Sequence, residues 1–581
     1  MLRILAFALI ALGLSAAPAA AQSRAERTLI QLLTEHEQIE RRFDPITSGQ
    51  WGDDAALSRL PDFSPAGVEA RRAALAALRP RVAAVNERQL SEGAALNRTL
   101  LLRTIDDNLE SISFDRARLG GGGGGFEGLA RSTPLRSRAD AEAWLARMGQ
   151  MAGAMQQSIE NQRRGIATGW TQPRQIIERA ITVARITAER PAEESPLLLP
   201  FDTLPSTVPQ AERDGYRARG LAIVREHIKP AQQAQLRFLE TELMAAARPG
   251  LGVRTLPNGE AYYRYLVRSF TTTSMTPEDV HALGQSEVRR IRALMDAAIA
   301  ESGFNGSFQE FVQFLRTDPQ FYARDADELE RYVALLTRRA DAALPRLFGT
   351  LPRLTYAVRR TPEEIASTAP TAGYDLGSMS LGQPGIYYLN TYDLSQRPLY
   401  EMPALTLHEA TPGHHTQLSL MQEQPEAPYF RRTDWFTSFV EGWGLYAEYL
   451  GSDIGFYTTP YERFGQLSYE MWRACRLVAD TGIHWYGWSY EEARRCFEEN
   501  TALSPHNITA EVNRYIANPG QALAYKVGEL TFRRLRAEAE AALGDRFDIR
   551  AFHDHLLGAG ALPMDVVETR MRAWITAQRA S

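Results

Sequence analysis

Lysine is almost missing from this 581-residue chain: only Lys229 and Lys526 stand among its 65 basic residues. The basic residues form no long block and the formal charge is −5. A nucleic-acid backbone is therefore excluded as a partner. Cysteine is scarce as well. Cys475 and Cys496 are the only two, without CxxC spacing, which rules out a disulfide-stapled scaffold and leaves a single bridge or two buried thiols open. No apolar run reaches the ~18 residues of a membrane span. With 42 Gly and 31 Pro, the chain lacks the bias of collagen-like, coiled-coil or disordered sequences.

What is present begins with a leader. Arg3 precedes an apolar run from Ile4 to Leu14, and Ala19-Ala20-Ala21 stand before Gln22. This is the pattern of a secretory signal and predicts a cleaved segment over 1–21, hence a secreted or periplasmic protein. No cysteine follows the run, so a lipid anchor is not expected.

From Ser23 onward, apolar residues recur at three- and four-residue spacing, and the expected class is mainly α. Helices are predicted at Ala139 to Arg164, Pro173 to Glu189, Pro209 to Met244, Pro277 to Glu301, Phe308 to Leu315 and Ala326 to Leu344, the last closed by Pro345. Thr276 before Pro277 is good capping chemistry. The six glycines Gly120 to Gly125 read as a flexible loop, without the context of a phosphate cradle. LTYAVRRTP and GIYYLNTYD, between Leu354 and Asp393, read as strands of a small β-sheet. No 20–50-residue repeat and no linker interrupts the chain.

Three of the ten histidines fall in LHEATPGHHTQ, from Leu407 to Gln417. Zinc hydrolysis needs two imidazoles, usually an anionic third ligand, and a carboxylate beside the water. HExxH supplies these on one helical face, but it does not occur here. Pro412 stands where the second histidine belongs, and His414 follows two residues later. On an ideal helix His414 lies about 120° from His408, so a regular helix cannot bring both to one ion. Pro412 and Gly413 are the residues most able to interrupt a helix, and the spacing demands a bulge or break there. His414 is the preferred second ligand and His415 its alternative.

Downstream, WFTSFVEGWGLYAEYL carries only Glu441 and Glu448 as charges in an apolar helix. Carboxylates in such surroundings need a cation, either a metal or one of the many arginines. In MWRACRLVADTGIH, residues Arg473, Arg476, Asp480 and His484 share one helical face, either a charged row facing a cleft or a structural ion network. In PGQALAYKVG, Tyr525 is placed to donate to an oxyanion and Lys526 to hold a carboxylate, unless both are ordinary packing residues.

HEATPGHHTQ, FVEGWGLYAE, RACRLVADTGIH, PGQALAYKVG and FHDHLLGAGALP together resemble the DUF885 family of bacterial zinc metallopeptidase candidates. EAYYRYLVRSFTTTSMTPEDVHALG and GIYYLNTYDLSQRPLYEMPALTLHE extend the resemblance over about Gly259 to Ile575. That family is in turn similar to helical gluzincin peptidases, in which helices wall a deep cleft. The resemblance implies a large helical domain with a deep cleft and a catalytic region over 256–581; the helical texture of 22–255 reads as an N-terminal region packing over that cleft. It implies His408, His414 and Glu441 as Zn²⁺ ligands and Glu409 as general base. Tyr525 and His484 are the candidates for oxyanion stabilisation, and Lys526, Arg473 and Arg476 for binding substrate. His415, Glu448 and Asp480 are supporting or alternative residues. The expected activity is hydrolysis of short peptides. The alternatives are a zinc amidohydrolase acting on a non-peptide or isopeptide amide, and a non-catalytic periplasmic binding protein. Peptide specificity, exo or endo action and oligomeric state are not legible.

Overall fold

A computed structural model describes residues 23–120, 125–366, 369–379, 382–424 and 427–580. The leader over 1–21 and the middle of the glycine run lie outside these residues. The chain is mainly α, with one small sheet. No helix among the described residues is long and apolar enough to cross a membrane.

The helices that matter for the site lie in the C-terminal half. In order they are α1 (Gly259–Thr271), α2 (Pro277–Glu301) and α3 (Ala326–Leu347), then, after the sheet, α4 (Met402–Glu409), α5 (His414–Gln422), α6 (Thr437–Asp453), α7 (Pro460–Thr481), α8 (Tyr490–Asn500), α9 (Pro505–Ala517) and α10 (Ala524–Leu543). Local chemistry fixes several ends. Thr276 accepts from the backbone N–H of Asp279, whose carboxylate accepts from that of Thr276, and Pro277 fills the first helical position of α2. α3 runs two residues past Pro345 rather than stopping before it. A proline in the last turn forfeits a single intrahelical bond, and Leu344 and Leu347 remain buried on either side of it.

The sheet has the order β1 (Tyr356–Arg360), β3 (Gly385–Leu389), β2 (Ala372–Asp375). β1 runs parallel to β3, with Tyr356 opposite Gly385, and β2 runs antiparallel to it, with Ala372 opposite Leu389. Tyr387 and Leu389 of β3 share a core with Leu405 and Leu407 of α4 and with Leu336 and Ala340 of α3. The sheet and α3 thus back the short helix that carries His408.

The largest apolar core joins Leu29, Leu75 and Leu101 near the N-terminus to Trp443 of α6, Phe532 of α10 and Met571 near the C-terminus. Apolar packing is therefore continuous across residue 255. A second core surrounds α7 and takes in α2, α8 and α9. There Cys475 and Cys496 form a disulfide, with Cα atoms 5.6 Å apart, that ties α7 to α8.

α6 and α10 cross almost backbone to backbone. A Cβ on Gly528 would stand 1.9 Å from the carbonyl oxygen of Ser438, and one on Gly442 would stand 2.6 Å from the Cα of Gly528. The two glycines allow this approach. It carries Tyr525, one turn before Gly528, to the neighbourhood of Glu441, whose charge helps to hold the Tyr525 phenol above its usual range after burial has raised it.

Candidate functional site

The helix through LHEATPGHHTQ is broken where the spacing demands. α4 ends at Glu409 and α5 starts at His414, with Ala410 (ψ −127°) and Gly413 (ψ −129°) outside helical geometry. The break folds tightly: a Cβ on Gly413 would meet the carbonyl oxygen of His408 at 2.0 Å. Only glycine fits there, because the restarting helix passes directly over the end of the first.

The break brings together two side chains that a regular helix would separate, His408 and His414, and α6 supplies a third, Glu441. Oε2 of Glu441 lies 3.6 Å from Nε2 of His408 and 3.6 Å from Nε2 of His414. These donor atoms lie within 4.8 Å of one another, and no other group of His, Cys, Asp or Glu among the described residues meets that test. A tetrahedral ion with bonds of about 2.0–2.2 Å would set its donors about 3.4 Å apart, close to the 3.6 Å that separates Glu441 from each imidazole. Both imidazoles are buried, while the Glu441 side chain keeps 18% of its surface exposed, which leaves an approach from solvent.

The electrostatics are those of a strongly paired site. Burial opposes charge on His408, but the Glu441 and Glu448 carboxylates outweigh it and push the imidazole up to about 9. Burial also opposes the charged form of Glu441, yet the two histidines hold its carboxyl well below the usual range. Glu409, adjacent in sequence to His408 and buried, is raised, chiefly by burial, with the histidines pulling the other way.

Glu448 supports the group from behind. Its Oε1 accepts from Nδ1 of His408 at 2.8 Å, so Nε2 of that ring is left for an ion. Gly444 makes room, since a Cβ there would stand 2.6 Å from the His408 ring.

His415 faces elsewhere. Its Nδ1 pairs with the Tyr374 hydroxyl at 2.8 Å and its Nε2 with the Leu354 carbonyl at 3.0 Å. Burial pushes this imidazole down to about 4. With Thr411, Asp341 and Tyr356 it lines a cavity of about 510 Å³ whose walls include none of the three grouped residues.

Four other expected site residues are engaged in the scaffold instead. Lys526 is 0% exposed and lies 2.5 Å from Glu529, 2.8 Å from Glu470 and 3.2 Å from Glu287. It has no free face for a substrate carboxylate. His484 is fully buried: Nδ1 accepts from the Val253 N–H at 3.2 Å and Nε2 pairs with the Tyr515 carbonyl at 2.9 Å. No ring nitrogen remains for an oxyanion. Asp480 accepts from Tyr263 at 2.6 Å and from the Gly520 N–H at 3.1 Å, and burial pushes its carboxyl up to about 7. Arg476 donates to Tyr515 and Glu511, both at 3.1 Å, and stacks between the rings of Trp472 and Tyr525. Arg473 alone of the α7 row comes within ion-pair distance of Glu448, at 3.5 Å.

Two contributors were missed from the residues alone. Trp443 donates its indole N–H to the Pro412 carbonyl, and Tyr457 donates to the Glu448 backbone carbonyl at 2.6 Å. The glycines flanking Trp443 in EGWG, rare inside an apolar helix, were the available signal of close packing there.

Comparison with known proteins agrees with this architecture. A solved structure described as a "putative lipoprotein" from Colwellia psychrerythraea superposes with a TM-score of 0.90 at 26% identity, covering 96% of this chain and 100% of that one. A "putative lipoprotein of unknown function" from Shewanella oneidensis superposes with a TM-score of 0.75 at 17% identity, over 94% of this chain and 99% of that one, a likeness of fold. No curated protein matches the chain. Residues 45–571 match the family described as "Bacterial protein of unknown function (DUF885)", and the chain belongs to that family.

Proposed function

We propose that this protein is an exported zinc-dependent peptidase that hydrolyses short peptides. The observation that carries the reading is the convergence of His408, His414 and Glu441 within 4.8 Å, with Glu409 alongside. Two imidazoles and one carboxylate are the donor set of catalytic zinc, which leaves a position open for water. Carboxylate-only sites suit magnesium or calcium better.

When bound, Zn²⁺ would lower the pKa of water toward neutrality and polarise a substrate carbonyl. The remaining work belongs to the chain. Glu448 holds the proton of His408 on Nδ1 and so presents Nε2 to the ion. Glu409, whose carboxyl is raised by its buried surroundings, takes a proton at a carboxylate oxygen and returns it to the departing amine. Tyr525 offers its phenol beside Glu441 as a donor to the oxyanion. Export is supported by the leader-like first residues, by the disulfide, which suits an oxidising compartment, and by relatives described as lipoproteins.

The test is a digest of mixed peptides by zinc-loaded protein, read by mass spectrometry against a chelated control. Zinc-dependent new termini support a peptidase. Turnover of amide or isopeptide substrates with no peptide cleavage would support the amidohydrolase instead, and no turnover with stoichiometric zinc would favour a binding role.

A further inference from the structure

Glu448 Oε1 serves two partners at once. It accepts from Nδ1 of His408 at 2.8 Å and lies 3.5 Å from Nη2 of Arg473. All three side chains are buried. The guanidinium is otherwise lightly engaged: Nη1 donates to the Tyr469 carbonyl at 3.3 Å, the group lies over the rings of Tyr469 (4.8 Å) and Trp472 (4.5 Å), and its buried Nε has no hydrogen-bond partner among the described residues. Among the described residues, Glu448 is the one carboxylate within ion-pair distance of Arg473.

A carboxylate that accepts from the far side of a ligand imidazole makes that ring a stronger electron donor. A cation on the same oxygen opposes this by drawing charge away from the hydrogen bond. The two demands on Oε1 therefore compete in a dry, low-dielectric setting, where each is at its strongest.

We propose that Arg473 is a positioning residue that restrains metal affinity by acting through Glu448 on His408, leaving the ion a better Lewis acid than its ligands alone would make it. This rests on the zinc reading above. It assigns Arg473 to neither substrate nor the ion itself.

The experiment measures zinc affinity by competition with a chromophoric chelator, without any substrate, on the full chain. Substitutions around metal ligands shift affinity by about 10–100-fold. Arg473→Met is expected to bind zinc about tenfold more tightly than wild type, and Arg473→Lys, which keeps the charge, to stay within about threefold. In a Glu448→Gln background the same Arg473→Met change should move affinity less than about twofold, because the route has been removed. Arg473→Gln, which retains a donor for the Tyr469 carbonyl, is measured in parallel and should follow Arg473→Met in direction, which covers the case in which the apolar variant does not fold.

Unchanged or weaker zinc binding in the folded variants overturns the proposal. So does an equal gain in the Glu448→Gln background, which would mark a simple through-space charge effect. Wild-type protein that takes up no zinc would instead overturn the zinc reading itself.

Discussion

Trp443 donates its indole N–H to the carbonyl oxygen of Pro412 at 2.8 Å. This bond pins the broken segment to the helix that carries Glu441, two residues away. The same helix clears space for the His408 ring at Gly444 and supplies the acceptor Glu448 behind it. One element thus fixes the third candidate ligand, the orientation of the first and the path of the chain to the second.

Glu409→Gln is expected to retain zinc at wild-type stoichiometry and lose at least about a hundredfold in turnover, the usual contribution of a general base. Metal analysis and single-turnover hydrolysis of the same preparation check both halves. Near-normal turnover would remove Glu409 from the proton transfer.

His414→Ala and His415→Ala should fail differently. The first removes a candidate ligand and should abolish stoichiometric zinc while leaving the fold in place. The second leaves zinc bound but strands the Tyr374 hydroxyl and the Leu354 carbonyl, costing about 1–3 kcal/mol. Chelator competition and chemical denaturation separate the two, and the reverse pattern would exchange their roles.

Lys526→Met should act on stability rather than on specificity. Removing the ammonium leaves Glu287, Glu470 and Glu529 with less compensation at a buried site, an effect of about 3–5 kcal/mol for a broken buried pair. Once a peptide substrate is identified, KM for free and amidated C-termini should change equally. A selective loss for free C-termini would restore Lys526 to the substrate site.

His484 should make its contribution depend on pH. Burial pushes its folded-state pKa down to about 3, so between that value and the ordinary ~6.5 the unfolded chain binds the extra proton. Its stabilisation is complete above pH ~6.5 and falls by roughly 1.4 kcal/mol per unit as pH drops toward 3. The stability difference between wild type and His484→Gln, measured by denaturant titration, should be flat at neutral pH and shrink on acidification. A difference independent of pH would contradict the buried neutral ring.

The helical class, the capping at Thr276 and the strands at Tyr356–Arg360 and Gly385–Leu389 were legible because they depend on local spacing and turn chemistry. So was the break at Pro412-Gly413, since two residues hostile to a helix stand inside an otherwise helical ligand motif. The strand Ala372–Asp375 was not legible, being short and partly exposed, with only pairing to β3 to define it. The fates of Lys526 and His484 were hidden for another reason. Their partners Glu287, Glu470 and Val253 lie far off in sequence, and a buried ion cluster has the same composition as a substrate pocket. The pairing of Cys475 with Cys496 likewise depended on how α8 packs against α7.

The most direct test is anomalous diffraction at the zinc edge from crystals of the full protein equilibrated with zinc. A site shared by the three side chains predicts one strong peak about 2.0–2.2 Å from Nε2 of His408, Nε2 of His414 and a Glu441 carboxylate oxygen. A peak bound instead through His415, or no ordered ion among these three side chains at saturating zinc, would contradict it.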